Sequence, residues 1–315
     1  MSKWAMVFPG QGSQSVGMLS DMYAAHACVP QLLEQASEIL GYDIGSLISE
    51  GPLEKLNQTI HTQPALFVVE YALWLCWCEI SESRPDWLAG HSLGEYTALV
   101  CAEVLSFEDG LLCVMERAKA MQAAVAVDEG AMAAIIGLSD EQVSSICDEC
   151  AQAQVLTPAN FNAIGQVVIA GHQPAVERAI VAAKAQGAKI AKQLPVSVPS
   201  HCPLMQPAVA VLSQKMQSIT WKKPQIPVLH NIDVQTYDEE SLIREALLQQ
   251  LTGSVQWVKT IQRLSQEGVT QLVECGPGKV LSGLIKRIDR ELVTMTLGKQ
   301  DDFATVKQAM LEVQA

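Results

Sequence analysis

The tightest-spaced residues capable of chemistry are Gly90-His91-Ser92-Leu93-Gly94. This GxSxG follows the apolar run Trp87-Leu88-Ala89 and precedes a helical pattern over about 93–104. A sharp strand-to-helix turn strains its central residue and leaves no room for bulk on either side, hence glycine at both ends. The turn lifts the Ser92 hydroxyl above a sheet and sets the Leu93 N–H at a helix N-terminus, facing developing negative charge. A GxSxG alone arises often by chance. The strand–turn–helix setting is what makes Ser92 a candidate nucleophile.

A serine nucleophile needs a base. The six histidines are His26, His61, His91, His172, His201 and His230. His91 adjoins Ser92 but points away across such a turn, which suits a structural role. His201 follows the rigid stretch Pro195-Val196-Ser197-Val198-Pro199-Ser200 and is favoured over His230 by that position. Serine hydrolases built on this turn place an acid between serine and histidine along the chain. No Asp or Glu lies between Arg178 and Ile232. A more distant acid or a neutral carbonyl must orient the imidazole, and both readings stay open.

Arg117 lies in a helical pattern over 107–126, where Ser106 and Asp109 suit an N-terminal cap. Its neighbours three and four residues away are Cys113, Val114, Ala120 and Met121, so no local acid pairs with it. A guanidinium on an apolar face needs either a long-range salt bridge or a carboxylate on a substrate. The sequence does not separate these two. Residues 178 to 232 also hold seven basic side chains and no acid, in a protein of net charge −13. That segment contains His201. It is either a docking face for an anionic partner or a solvated face with acidic neighbours from elsewhere.

The elements that would position these groups read as an α/β domain with an insertion. A strand over Lys3–Phe8 runs into the glycine-rich loop Pro9-Gly10-Gln11-Gly12-Ser13-Gln14. Helices follow at about 31–40 and 63–80, then the Trp87 strand, then helices at about 93–104 and 107–126. Residues 131–136, 140–151, 154–158, 166–170, 173–186 and 188–194 alternate as βαββαβ, a ferredoxin-like unit. The chain then resumes with helix 203–218, strand 226–229, helices 240–251 and 255–267, and strand 270–274. The expected domains are 1–128 with 198–315, and 129–197 inserted between them.

The 315 residues are 49% hydrophobic and 17% charged, which suits a large packed core and excludes a disordered chain. Net charge −13 disfavours nucleic acid and an anionic membrane as partners. The longest apolar stretch, Ala65–Cys78, contains Glu70 and is shorter than a membrane span needs. No leader is visible, and nine cysteines without framework spacing suit a reducing cytoplasm. Cys147 and Cys150 form one CxxC in acidic surroundings, with no second pair for zinc and no electropositive setting for redox work.

Several stretches together resemble the malonyl-CoA:acyl carrier protein transacylase family of type II fatty acid synthesis. They are Val7–Gln14, Gly90–Tyr96, Met115-Glu116-Arg117, Pro158–Asn162, Val198–Cys202 and Glu274–Gly278, in that order along the whole chain. The resemblance implies a hydrolase-like parallel-sheet domain with a nucleophile elbow and a ferredoxin-like insertion. It implies ping-pong malonyl transfer from malonyl-CoA to the phosphopantetheine thiol of acyl carrier protein, with Ser92 as nucleophile and His201 as base. Backbone N–H groups of Gln11 and Leu93 would form the oxyanion hole, and Arg117 would bind the malonyl carboxylate. The Gln250 carbonyl would orient the histidine, and Asn160 and Asn162 match a motif near the pocket. Carrier proteins of this class are acidic, which points to Lys189 and Lys192 as docking residues. No cofactor or metal is expected, and a monomer is expected. A serine thioesterase, in which water replaces the carrier thiol, is the competing enzyme, and an acyltransferase serving a polyketide synthase is a near relative.

Overall fold

The computed structural model describes residues 3–126, 128–196 and 198–314. Val127 and Ser197, beside the two expected domain junctions, lie outside the described residues. In chain order the strands are β1 (Lys3–Phe8), β2 (Trp87–Gly90), β3 (Gly130–Ile136), β4 (Leu156–Ala163) and β5 (Gln166–His172). They continue as β6 (Ile190–Gln193), β7 (Val228–Leu229), β8 (Val269–Cys275) and β9 (Val293–Leu297).

The larger sheet has the order β7-β2-β1-β8-β9, and all its pairings are parallel. Strand alternation explains its two-sided burial. Trp4, Met6 and Phe8 of β1 enter one core, and Ala5 and Val7 enter the core on the opposite face. The first core is closed by helix Thr59–Ile80, which is buried on most of its circumference and includes the fully buried Glu70. The second is closed by helices Trp257–Gln266 and Val280–Ile288.

The smaller sheet is antiparallel, in the order β4-β5-β3-β6. Helices Asp140–Ala151 and Gln173–Ala185 pack on one of its faces through Val143, Ile146, Val176 and Ala179. The other face carries Met132, Ala159, Val168 and Ala170, packed with Cys202 beside His201. The small sheet therefore roofs the segment that carries the histidine.

Boundaries differ from the sequence reading where pairing is long-range. β4 runs on to Ala163, past Pro158, because it pairs with β5 through two register shifts and bridges to Val255. The strand expected over 226–229 is only Val228–Leu229. The helix expected from 63 begins at Thr59, and the helix over 203–218 is a 3-10 turn followed by Gln206–Met216. Helices Ile44–Glu50, Val280–Ile288 and Gln300–Gln314, and strand β9, were not anticipated. Among the described residues no helix is long and apolar enough to cross a membrane.

Candidate active site

Ser92 stands between β2 and helix Gly94–Cys101 with φ 56°, a left-handed conformation unusual for a residue with a side chain. Its flanking glycines are required by space. A Cβ on Gly90 would lie 1.8 Å from the Gly94 carbonyl carbon, and one on Gly94 would lie 2.1 Å from the Phe8 carbonyl oxygen. The second contact presses the turn against the end of β1. The His91 N–H donates to Phe8 O at 2.9 Å, so the loop bearing Gln11 leaves β1 directly beside Ser92.

His201 also has a left-handed backbone, φ 61°, and is buried. Its Nε2 lies 2.7 Å from Ser92 Oγ, and its Nδ1 lies 2.7 Å from the main-chain oxygen of Gln250. A carbonyl only accepts, so Nδ1 carries the proton and Nε2 is free to accept from the serine hydroxyl. Burial pushes the His201 pKa down to about 3, and the charge of Arg117 pushes the same way. The imidazole is therefore neutral at physiological pH, with Nε2 unprotonated.

Arg117 is 1% exposed. Its Nη2 donates to Ser92 Oγ at 3.2 Å and to Gln250 Oε1 at 2.8 Å, and its Nη1 donates to Gln63 Oε1 at 2.6 Å. The guanidinium carbon sits 5.3 Å from the centre of the Tyr96 ring. Among the described residues no carboxylate forms an ion pair with it. Of the two readings open in the sequence, the long-range salt bridge is absent there. Neutral oxygens hold the cation instead, and burial lowers its pKa.

A cavity of about 170 Å³ opens over these groups. Gln11, Ser92, Leu93, Arg117 and His201 line it from the parallel-sheet side, and Met132, Asn160, Asn162 and Val168 from the small sheet. The N–H groups of Gln11 and Leu93 donate to no protein acceptor among the described residues. Asn162 Oδ1 lies 2.7 Å from His91 Nε2, so His91 is tied to the roof and not to Ser92 Oγ. Asn160 is buried in the wall beside the bridge to Val255. A larger hollow of about 700 Å³ lies among residues 18–49, but no histidine, lysine or arginine lines it. Ser92, His201 and Arg117 all line the smaller one.

The chain matches the family model described as an acyl transferase domain over residues 5–301. It is 50% identical over 304 residues to the malonyl CoA-acyl carrier protein transacylase of Escherichia coli K12, covering 96% of this chain and 98% of that one. The chain belongs to the malonyl CoA-acyl carrier protein transacylase family. The transacylase fold is equally close in solved structures. The Coxiella burnetii transacylase superposes with TM-score 0.97 at 47% identity and 98% coverage of both chains. A malonyl-transacylase in complex with a type II polyketide synthase acyl carrier protein gives 0.96 at 47% identity, covering 98% of this chain and all of that one.

In this transacylase the remaining predicted residues fall away from the cavity. Lys189 and Lys192 are exposed, Lys192 on the edge strand β6, and neither is ion-paired among the described residues. The acid-free segment around them is not uniformly free. Lys223 pairs with Asp238 at 2.7 Å, and Arg178 donates to the Cys150 carbonyl. Cys147 is buried, which pushes its thiol up to about 12. His230, weighed as a base, instead places Nδ1 on Glu95 at 2.7 Å.

Sequence reasoning missed Gln63, Glu95 and Asn231, all buried at the site. Glu95 directly follows the GxSxG, on a helix buried along its whole length, but its contacts with His230, Asn231 and Gln250 are more than 130 residues away in sequence. Gln63 and Asn231 reach the site from helix Thr59–Ile80 and the segment after β7, and carry no local pattern.

Proposed function

We propose that this enzyme moves a malonyl group from malonyl-CoA to the phosphopantetheine thiol of acyl carrier protein in two half-reactions at Ser92. Ser92 Oγ attacks the thioester carbonyl while His201 Nε2 takes the hydroxyl proton. The C–S bond then breaks, the imidazolium returns its proton to the CoA thiolate, and malonyl-serine remains. The carrier thiol next gives its proton to His201 and attacks the ester, and Ser92 leaves with that proton. The Gln250 carbonyl fixes the tautomer that makes this possible. Gln11 and Leu93 N–H groups face the oxyanion, a role in which one donor is worth about 3 kcal/mol. Each step is a proton or acyl transfer that these groups supply, and the proposal calls on no cofactor.

The observation that carries this reading is the position of Arg117, buried with no carboxylate ion-paired to it among the described residues and donating to Ser92 Oγ at 3.2 Å. An acyl group on Oγ would hold a terminal carboxylate beside the guanidinium. In the same reading the parallel-sheet region is a hydrolase-like domain with Ser92 on a nucleophile elbow. The βαββαβ segment is a ferredoxin-like subdomain whose face roofs the cavity, with Asn160 and Asn162 in its wall. Lys189 and Lys192 offer an acidic carrier an exposed basic edge, and nine free cysteines suit a reducing cytoplasm.

Intact-mass spectrometry tests the reading. Incubation with malonyl-CoA should add one malonyl group, absent in Ser92→Ala. Addition of holo carrier protein should move that group to the carrier. Release as free malonate instead would make the enzyme a thioesterase, and no adduct at all would remove the nucleophile.

A further inference from the structure

The strained turn at Ser92 has a backbone problem that neither strand nor helix solves. Pairing between β2 and β7 ends at Ala89–Leu229. Gly90 still pairs with Phe8 of β1, but on the β7 side the Gly90 carbonyl and the Ser92 N–H lie past the last rung of the ladder. Both are met by one side chain, that of Asn231, 139 residues from Ser92. Asn231 Oδ1 accepts from Ser92 N at 2.7 Å, and Asn231 Nδ2 donates to Gly90 O at 2.6 Å.

An amide has one accepting and one donating end of nearly the same shape, and its partners decide which way it lies. Here one partner only donates and the other only accepts, so a single orientation satisfies both. Asn231 is fully buried. Its own N–H donates to Glu95 Oε2 at 3.0 Å and its carbonyl accepts from Gln256 N at 2.9 Å. Glu95 is held in turn by His230 Nδ1 and by Gln250 Nε2. The side chain therefore extends the sheet edge by one more rung, across the residue that carries the nucleophile.

We infer that Asn231 is a positioning residue for the nucleophile: its amide bridges Gly90 O and Ser92 N and holds the left-handed backbone that aims Ser92 Oγ at His201. It touches no substrate. Its effect falls on the acylation rate and not on the binding of malonyl-CoA. This rests on Ser92 being the nucleophile, and on nothing about which acyl group is carried.

Replacement by Asp gives a sharper test than truncation. Asn231→Asp keeps the shape and the acceptor for Ser92 N–H, but turns an ionised oxygen on the Gly90 carbonyl. Protonation restores a donor at that point. The titratable groups around position 231 are Glu95 from helix Gly94–Cys101 and His230 next in the chain. Across Ser92 stand His201 and Arg117. Glu95 disfavours a second negative charge there, which keeps the new carboxyl protonated to higher pH. Because His201 is neutral down to about 3, the base does not fail as pH is lowered.

The experiment measures single-turnover Ser92 acylation by malonyl-CoA across pH 5–9 for wild type, Asn231→Ala and Asn231→Asp, each normalised to folded protein. Asn231→Ala should acylate more slowly by about tenfold or more with unchanged KM. Asn231→Asp should lose rate with rising pH along a limb that the wild type lacks, recovering as pH falls. A wild type that acylates beside an Asn231→Asp variant of unaltered rate and pH profile overturns this inference alone. If Asn231→Ala does not fold, that profile decides. Absence of acylation in the wild type would remove the functional reading instead.

Discussion

Arg117 Nη2 donates to the Oγ of Ser92 at 3.2 Å, on the same oxygen whose proton His201 Nε2 is placed to accept at 2.7 Å. Guanidinium and imidazole thus meet at the Ser92 hydroxyl, with the second imidazole nitrogen on the Gln250 carbonyl and the second acceptor of Arg117 Nη2 on the Gln250 side chain. One residue of helix Glu240–Thr252 fixes both groups. Among the described residues no carboxylate forms an ion pair with this cation, and in the proposed reaction the acyl group is attached beside it.

Arg117→Ala should therefore discriminate between acyl donors. A malonyl group loses its charge-assisted partner, which costs about 3 kcal/mol or on the order of a hundredfold in kcat/KM. An acetyl group carries no carboxylate, and its kcat/KM should change far less. Steady-state kinetics with malonyl-CoA and acetyl-CoA measure the ratio. Equal losses with both donors would make Arg117 a structural residue.

The base should show no titration near the ordinary histidine pKa. Burial and Arg117 hold His201 down to about 3, so it is unprotonated, and active, at every pH above that. The malonyl acylation rate should be flat from pH 8 to about pH 5, and a half-drop centred near 6.5 would refute the assignment. The same depression has a stability cost in acid. Between 6.5 and about 3 the unfolded chain takes up a proton at this residue that the folded chain does not, so stability falls as pH falls through that window. Arg117→Ala removes the second cause and should narrow the window from below.

Local patterns carried much of this architecture into the sequence. β1 was legible because its alternate residues are apolar on both faces, and the Ser92 turn because only glycine fits at Gly90 and Gly94. The βαββαβ order was legible because each of its helices carries an apolar stripe against one sheet face. What failed was long-range. The edge strand β9 is different: Val-Thr-Met-Thr-Leu alternates apolar and polar residues as a half-buried strand does, so it carries a local signal as well as its pairing with β8. Asn231 and Gln250 meet the Ser92 turn from 139 and 158 residues away, so their side-chain roles have no local trace. The Gln250 carbonyl was placed by resemblance alone, and for Lys223 the acidic neighbour from outside the acid-free segment is Asp238.

Charge reversal at the β6 edge should separate the two half-reactions. Lys189→Glu with Lys192→Glu lies outside the cavity, so CoA-dependent acylation of Ser92 should be unaltered. The KM for an acidic carrier protein should rise by about tenfold, roughly 1.4 kcal/mol, and more steeply at low salt. Kinetics with varied carrier concentration at two ionic strengths give the answer. An unchanged KM would move the docking face elsewhere.

Glu70 offers a test of the core that does not involve catalysis. It is fully buried in helix Thr59–Ile80, accepts from Thr97 Oγ1 at 2.5 Å, and has no partner for Oε1 among the described residues. Burial raises its pKa well above 4.5, and Glu274 nearby adds to the rise. The folded protein thus keeps a proton here that the unfolded chain releases above 4.5, so its contribution to stability declines as pH climbs toward the folded pKa. Glu70→Gln keeps the shape and an acceptor for Thr97 but has no proton to lose. Its Tm should exceed the wild type's at pH 8, and the gap should shrink as pH is lowered toward 4.5. A gap that is constant across that range would show that the Glu70 carboxyl does not titrate with unfolding.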